Sequence, residues 1–234
     1  MAPPVKPDST PATTESEGGL YLHWPFCDTK CGYCDFYSLP HRDMPVAPVV
    51  AAVIEELRWR CRSTDLRVRT VFFGGGTPTT MSTSELVRVL QAIGESVPDL
   101  AGVEFTVEAN PATVEPAKAD ALRACGVNRV SIGAQSFHPA ELAALERIHD
   151  PADVPVAVHT LRAAGIDNLN LDLIFGVTGQ TLASWRESLR RTIELEPMHV
   201  ACYGLTYEPG TALTKQLAQG RVTPCDEALE ADLY

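Results

Sequence analysis

Several features are scarce in this 234-residue sequence, and each scarcity excludes a class of protein. Basic residues number 19 against 30 acidic ones, which gives a formal net charge of -11. A basic face that neutralises nucleic-acid phosphates is therefore not expected. The longest apolar stretch, Met44 to Ile54, contains two prolines and is far shorter than the roughly 20 residues that span a bilayer. We predict no nucleic-acid partner and no membrane-spanning segment.

The N-terminus also lacks the basic start and apolar run of a secretory signal. Residues 1–18 are rich in Pro, Ser, Thr and Glu and offer little to bury, so we predict a disordered tail there and one domain over residues 19–234. The seven cysteines are an odd number in a chain without an export signal. A disulfide framework is therefore not expected, and a reducing cytoplasm is the expected location.

Short β-branched runs alternate with helical patterns from Leu20 onward, which is typical of βα units around a parallel sheet. Ser82 and Glu85 form a capping box at a helix start, and Gly126 and Gly165 mark helix ends. A helix predicted over residues 182–195 is expected to bury the face that carries Trp185, Leu189 and Ile193. The predicted strands are residues 20–24, 68–73, 103–107, 129–132, 168–174 and 199–205.

After the sixth strand comes a loop with Glu208-Pro209-Gly210, and a new helix begins at Asp226, just before the final Tyr234. We therefore predict an α/β fold, a partial (β/α)6 barrel of the TIM type that is truncated at its C-terminal end. The last helix and a C-terminal domain are expected to lie beyond this sequence.

Three cysteines, Cys27, Cys31 and Cys34, follow the first predicted strand with C-x3-C-x2-C spacing. Thiolates are soft ligands that suit iron-sulfur clusters and zinc. A closed site needs four ligands, and this loop has no fourth cysteine. Three thiolates on a four-iron cluster leave one iron open to a small molecule. The alternative is a structural zinc with His23 or His41 as its fourth ligand.

Polar and glycine residues follow the later strands. Gly74 to Gly76 end the second strand, where the missing Cβ atoms are expected to let a ligand approach closely and meet unpaired main-chain groups. Glu108 follows the third strand, Gln135 the fourth, and Asp172 lies within the fifth. The C-terminal ends of parallel strands share one face of a barrel, so these residues are expected to line one pocket. A carboxylate inside an apolar strand needs a partner or a function. Arg147 is a candidate partner of Asp172; the alternatives are that it binds the carboxylate of a ligand or lies at the surface.

The C-x3-C-x-Tyr-Cys pattern, with the glycine segment and Glu108 in register, resembles the radical S-adenosylmethionine (SAM) superfamily. In that superfamily SAM binds the open iron of a [4Fe-4S] cluster, and the reduced cluster splits it into methionine and a 5′-deoxyadenosyl radical. The resemblance implies that Cys27, Cys31 and Cys34 hold the cluster, that the glycine segment receives the amino end of SAM, and that Glu108 binds its ribose.

The stretch from Leu20 to Leu213 is similar to the anaerobic coproporphyrinogen oxidase family, in which a second SAM position also occurs. That resemblance implies a set of residues lining the SAM sites. They are Tyr21, Tyr33, Gly75, Gly76, Thr77, Glu108, Gln135, Arg147, Asp172 and Thr206.

Two differences from the true oxidase indicate which branch of this family the chain resembles. Phe36 stands where the true oxidase has a fourth cysteine, and the N-terminal segment is short. The run from Cys34 to Ser38 resembles the HemW branch, whose members act as haem chaperones. This implies haem as a further ligand, an acceptor protein for the haem and an electron-donor protein. The alternatives are an oxygen-independent coproporphyrinogen III oxidase, which decarboxylates propionates by radical chemistry, and an iron-sulfur or zinc protein without SAM.

Overall fold

The computed structural model describes residues 16–41 and 44–234, whose elements are numbered here in chain order. The strands are β1 Ser16–Trp24, β2 Phe26–Cys27, β3 Leu39–Pro40, β4 Leu66–Gly75, β5 Glu104–Ala109, β6 Arg129–Gln135, β7 Asn168–Phe175 and β8 His199–Gly204. The helices are α1 Val46–Ser63, α2 Thr83–Ser96, α3 Pro116–Ala124, α4 Pro139–Ala144, α5 Asp153–Ala163, α6 Leu182–Glu194, α7 Ala212–Ala218 and α8 Glu227–Leu233. Short 3₁₀ helices lie at residues 78–80, 100–102 and 111–113.

The predicted partial barrel is confirmed. Six strands form one parallel sheet in the order β1-β4-β5-β6-β7-β8, and each overlaps one of the six predicted segments. Within the described ranges β1 and β8 are the two edges, so the sheet is an open half-barrel. Strands β2 and β3 form a separate parallel pair, which sequence patterns do not predict because two residues are too few to show a period.

Alternation along the strands sorts side chains between the core and the functional face. On β6, Val130, Ile132 and Ala134 are fully buried in the main hydrophobic core. Gly133 and Gln135 alternate with them and line a cavity on the other side of the sheet. This period of two is the reason that the polar residues of neighbouring strands meet on one face.

The helix boundaries follow the local signals in the sequence. Ser82 and Glu85 make both hydrogen bonds of the capping box at the start of α2. Gly126 and Gly165 follow α3 and α5 with φ angles of 89° and 84°, a left-handed conformation that glycine adopts without steric cost. Both predicted helix ends are therefore confirmed.

The predicted buried face of α6 is partly wrong. Trp185 is buried and Leu189 packs against the core, but Ile193 is 67% exposed. Steps of four residues drift around a helix, so that Ile193 lies about 80° from Trp185. Thr192 lies closer to the direction of Trp185 and is the buried residue of that turn.

The predicted tail boundary at residue 18 is also wrong. Strand β1 starts at Ser16, and residues 16–18 pair with residues 66–68 of β4. Glu17 also forms an ion pair with Arg69. The remainder of the predicted tail, residues 1–15, lies outside the described residues.

No helix in the described ranges combines the length and the apolar character that crossing a bilayer requires.

Candidate metal and cofactor site

The three cysteines lie on a loop that is fixed at both ends. Cys27 ends β2, and its carbonyl accepts a hydrogen bond from His41 N at 3.0 Å. Cys34 N donates to Cys31 O at 3.1 Å, which closes a turn between the second and third thiols. Lys30 Nζ donates to the carbonyls of Phe36 and Ser38 at 2.9 and 3.1 Å. The loop therefore holds its thiols in place through its own backbone.

Two donors contact the cysteine sulfurs. Thr77 Oγ1 lies 3.5 Å from Cys27 Sγ, and Arg147 Nη1 lies 3.5 Å from Cys31 Sγ. Burial raises the pKa of the Cys27 and Cys34 thiols, although the Thr77 hydroxyl acts in the opposite direction at Cys27. Metal binding therefore has to displace protons from these thiols, as it does at thiolate sites in general.

The glycine turn at the end of β4 packs closely against neighbouring segments at the positions where side chains would project. A Cβ on Gly74 would lie 2.3 Å from Glu108 Oε2, one on Gly75 would lie 2.5 Å from the His23 ring, and one on Gly76 would lie 2.4 Å from the Phe26 carbonyl oxygen. Gly75 has a φ of 109° and Gly76 contacts backbone atoms, so these two positions require glycine. At Gly74 a larger residue would displace the Glu108 carboxylate.

The backbone N–H groups of this turn are already paired. Gly75 N donates to Glu108 Oε2 at 2.9 Å, Gly76 N to Trp24 O at 2.5 Å, and Thr77 N to Phe26 O at 2.8 Å. The expectation that this turn presents unpaired main-chain groups is wrong for these three donors. The bonds from Gly76 and Thr77 attach the turn to the chain that leads into Cys27, and the bond from Gly75 attaches it to β5.

Asp172 is held by hydrogen bonds from neutral groups. Ser131 Oγ donates to Oδ2 at 3.1 Å, and Asn170 Nδ2 donates to Oδ1 at 2.7 Å. The predicted pairing of Asp172 with Arg147 is not observed, because Arg147 donates to Cys31, Gly133 and His149 instead. Burial raises the pKa of the Asp172 carboxyl, and the two hydrogen bonds oppose that shift.

This raised pKa predicts how the stability of the metal-free protein depends on pH. An unfolded Asp titrates at about pH 4, whereas folded Asp172 keeps its proton to higher pH. The free energy of unfolding should therefore fall as the pH rises from about 4 through the folded pKa. Urea titrations at a series of pH values measure this decline, and Asp172→Asn should make it smaller. Burial also raises the pKa of Glu108, so the unfolding free energy of Asp172→Asn should still fall slightly with pH. An unchanged slope in Asp172→Asn would contradict the assignment.

Gln135 adopts an uncommon backbone conformation at the edge of the same cavity. Its φ is 63°, and the pairing of β6 with β7 shifts register between Gly133 and Gln135. Its Oε1 atom is buried without a hydrogen-bond partner. A buried acceptor without a partner costs about 1–3 kcal/mol, and a ligand donor in the cavity would remove that cost.

These groups surround one cavity, whose empty space amounts to about 850 Å³ with open solvent included. The structure brings together on its wall every predicted site residue except Tyr21 and Thr206. The predicted residues that line it are Cys27, Cys31, Cys34, Tyr33, Gly75, Gly76, Thr77, Glu108, Gln135, Arg147 and Asp172.

Tyr21 and Thr206 lie off this wall. The Tyr21 hydroxyl is 2.9 Å from His23 Nδ1 on the edge strand β1. The Thr206 hydroxyl is exposed and turns back to the Gly204 carbonyl at 3.5 Å. Their predicted contact with SAM stays a prediction.

The zinc alternative needed a histidine as fourth ligand. His23 Nε2 lies 2.8 Å from the Tyr37 carbonyl, and its Nδ1 faces the Tyr21 hydroxyl, so both ring nitrogens are engaged away from the thiols. His41 Nε2 lies 3.3 Å from the Asp28 carboxylate. In the parts of the chain that the structure describes, no three Cys, His, Asp or Glu side chains are arranged to hold a single metal ion.

Sequence patterns did not predict a role for three residues of this region. Lys30 braces the cysteine loop, Ser131 supports Asp172, and His149 contacts Arg147. Ser131 could have been predicted, because it alternates along β6 in step with Gly133 and Gln135 and therefore lies on the same face of the strand. Neither Lys30 nor His149 carries a pattern that distinguishes it from a surface residue.

The residues present fit a four-iron cluster and SAM. Three thiols line one wall, and a cation and a hydroxyl contact two of the sulfurs. Gln135, whose buried Oε1 has no hydrogen-bond partner, also lines the cavity. Glu108 and Asp172 add carboxylates for the hydroxyl and amino groups of a ligand.

Comparisons with known proteins agree with this geometry. The sequence model of the radical SAM superfamily matches residues 21–192. The chain is 37% identical to "Heme chaperone HemW" of Escherichia coli (strain K12), over 90% of this chain and 55% of that protein. It is 35% identical to the mouse "Radical S-adenosyl methionine domain-containing protein 1, mitochondrial", over 96% of this chain and 51% of that protein. The chain spans about half the length of the curated relatives that it matches.

Solved structures give the same result. The coproporphyrinogen III oxidase HemN from Escherichia coli superposes with a TM-score of 0.82 at 27% identity, over 94% of this chain and 50% of that one. The methyltransferase TsrM from Kitasatospora setae shares the fold, with a TM-score of 0.66 at 18% identity, over 87% of this chain and 40% of that one. With its three-cysteine loop at the mouth of a parallel half-barrel, this chain belongs to the radical SAM superfamily, whose members use a [4Fe-4S] cluster and SAM.

Proposed function

We propose that this chain is the radical SAM portion of a haem chaperone, which binds a [4Fe-4S] cluster, SAM and haem and passes the haem to an acceptor protein. The observation that carries the proposal is the cysteine loop. It presents three thiols to the cavity and then Phe36, which lines the same cavity and is 61% exposed. The similarity to proteins named haem chaperones over about nine-tenths of the chain supports the same choice.

Each group on the cavity wall has a part in this proposal. Cys27, Cys31 and Cys34 hold three irons of the cluster, and the fourth iron is left for SAM. When bound, the cluster and SAM supply one-electron reduction and a carbon radical. Glu108 would accept a hydrogen bond from the SAM ribose, and Gln135, whose Oε1 has no partner, would accept a second one from SAM. An electron-donor protein supplies the electron.

We also place the protein in the cytoplasm. All seven cysteines carry free thiols, and a reducing compartment preserves free thiols.

A second candidate is oxygen-independent coproporphyrinogen III oxidation. The superposition on HemN at a TM-score of 0.82 favours it. Phe36 counts against it, because a phenyl ring cannot supply the additional thiol that the oxidase has at this position.

The experiment that separates the two uses the natural full-length protein, reconstituted anaerobically with iron and sulfide. Haem is titrated into one sample and followed by visible absorption, and coproporphyrinogen III is supplied to another with SAM and a reductant. The chaperone proposal predicts saturable haem binding and no protoporphyrinogen. Protoporphyrinogen formed over many turnovers would establish the oxidase instead.

Glu108→Ala tests the cofactor pocket separately from the cluster. The change removes a carboxylate that accepts from the Gly75 N–H and faces the cavity. Loss of a hydrogen bond to a charged group costs about 1.5–3 kcal/mol, so SAM affinity should fall roughly 10- to 100-fold while the iron content stays normal. Equilibrium binding of SAM to the reconstituted protein measures this. Glu104→Ala, on the exposed part of the same strand, is the matched control and should bind SAM normally.

A further inference from the structure

Arg147 is fixed by all three of its nitrogen atoms. Nη1 donates to Cys31 Sγ at 3.5 Å, Nη2 donates to the Gly133 carbonyl at 2.7 Å, and Nε donates to His149 Nδ1 at 3.4 Å. The guanidinium is planar, so three partners in three directions determine its position and its tilt.

No carboxylate pairs with Arg147 among residues 16–41 and 44–234. A cation held in the interior without an anionic partner is costly. The sulfur of Cys31 and the hydroxyl of Tyr33 are the groups of negative character near it. The side chain is therefore arranged to face negative charge that a metal-bound thiolate would supply.

His149 is the residue that aligns this cation. It is 3% exposed, and its Nε2 lies 3.0 Å from the Ala134 carbonyl oxygen. A carbonyl only accepts, so Nε2 carries the hydrogen, and Nδ1 offers its lone pair to the Arg147 Nε–H. Burial, together with the charge of Arg147, lowers the pKa of His149 to about 4. The ring is therefore neutral near pH 7 and keeps this tautomer.

We infer that His149 is a positioning residue that holds the Arg147 guanidinium against the Cys31 sulfur and thereby raises the reduction potential of the cluster. The inference rests on the cluster site proposed above. A reduced cluster carries more negative charge than an oxidised one. A cation and an N–H donor at a ligand sulfur therefore stabilise the reduced form. Ala134 and Gly133, which anchor the pair, both belong to β6, so the sheet itself sets the orientation.

The test is a redox titration of the reconstituted cluster without SAM, followed by electron paramagnetic resonance. His149→Leu removes the acceptor of the Arg147 Nε–H, and the midpoint potential should become more negative than that of the unmodified protein. His149→Gln keeps one amide acceptor and one amide donor, so it should restore the potential towards the original value. Arg147→Met should give a more negative potential, and adding His149→Leu to it should produce no further shift.

Several outcomes would overturn the inference. A midpoint potential in His149→Leu equal to that of the unmodified protein, at equal iron content, would show that His149 does not act on the cluster. If His149→Leu lowered the midpoint potential by the same amount in the Arg147→Met variant as in the unmodified protein, His149 would not act through Arg147. If His149→Leu takes up no iron, His149→Asn replaces it, because the shorter amide does not span both partners. His159→Leu, on the exposed side of α5, is the control and should leave the potential unchanged. If the unmodified protein assembled no cluster, the proposed cluster site itself would be refuted. That outcome is distinct from a failure of the role inferred for His149.

Discussion

Cys27→Ala is expected to abolish stable assembly of the [4Fe-4S] cluster. Cys27 ends the short strand β2, and its sulfur accepts a hydrogen bond from the Thr77 hydroxyl. Removal of this sulfur leaves two thiolates, which are too few to hold a four-iron cluster stably. Iron bound per chain after anaerobic reconstitution should fall from about four to near zero, and the visible charge-transfer absorption should disappear. The same result is expected for Cys31→Ala and Cys34→Ala.

Cys61→Ala is the matched control. Cys61 lies on α1 and packs against the main core, away from the cavity wall. It should retain full iron content and lose at most a small part of its stability, because the thiol that is removed is only partly buried. Equal loss of iron from Cys61→Ala and Cys27→Ala would show that the wrong thiols have been assigned.

Gly76→Ala is expected to have the second large effect. Its added methyl group would lie 2.4, 2.8 and 2.9 Å from backbone atoms of Phe26, and backbone cannot rotate away as a side chain can. Overpacking of this kind costs about 3 kcal/mol. The strain falls on the hydrogen bonds from the Gly76 and Thr77 N–H groups to the chain before Cys27. We therefore expect both a lower free energy of unfolding and incomplete cluster assembly.

Gly102→Ala separates this effect from the general cost of changing a glycine. Nothing lies within 4 Å of a Cβ at Gly102, so the substitution should leave both the midpoint of urea unfolding and the iron content close to those of the unmodified protein. If Gly76→Ala unfolded at the same urea concentration as Gly102→Ala, the packing of the glycine turn against β2 would be refuted.

Much of the fold follows from the sequence because its periodic signals are strong. Strands such as β6 place apolar residues at every second position, and the ends of parallel strands must share one face. That is why Glu108, Gln135 and Asp172, which lie far apart in the chain, could be assigned to one cavity before the structure was known.

The parts that sequence patterns missed depend on contacts between distant segments. Arg147 faces Cys31 rather than Asp172 because Ser131 and Asn170 already satisfy the carboxylate. Asn170 in turn hydrogen-bonds to His199 on the neighbouring strand. The left-handed conformation of Gln135 arises from a register shift between two strands. No local propensity encodes either arrangement, since both result from packing between elements.

The glycine turn shows how structure changes the meaning of a motif. The sequence explains three glycines by the close approach of a ligand. In the structure the absent Cβ atoms also make room for Glu108, His23 and Phe26. The motif therefore couples the cofactor pocket to the cysteine loop, and a substitution in the turn should affect both.

We propose that a cluster held by Cys27, Cys31 and Cys34 leaves an open iron for SAM in the neighbouring cavity. The most direct measurement is the electron paramagnetic resonance spectrum of the reduced, reconstituted protein before and after SAM is added. The claim predicts a four-iron spectrum whose g values change on addition of SAM, with a smaller change in Glu108→Ala at the same SAM concentration. A spectrum that SAM leaves unchanged at full iron content, or a protein that takes up zinc and no iron, would contradict it.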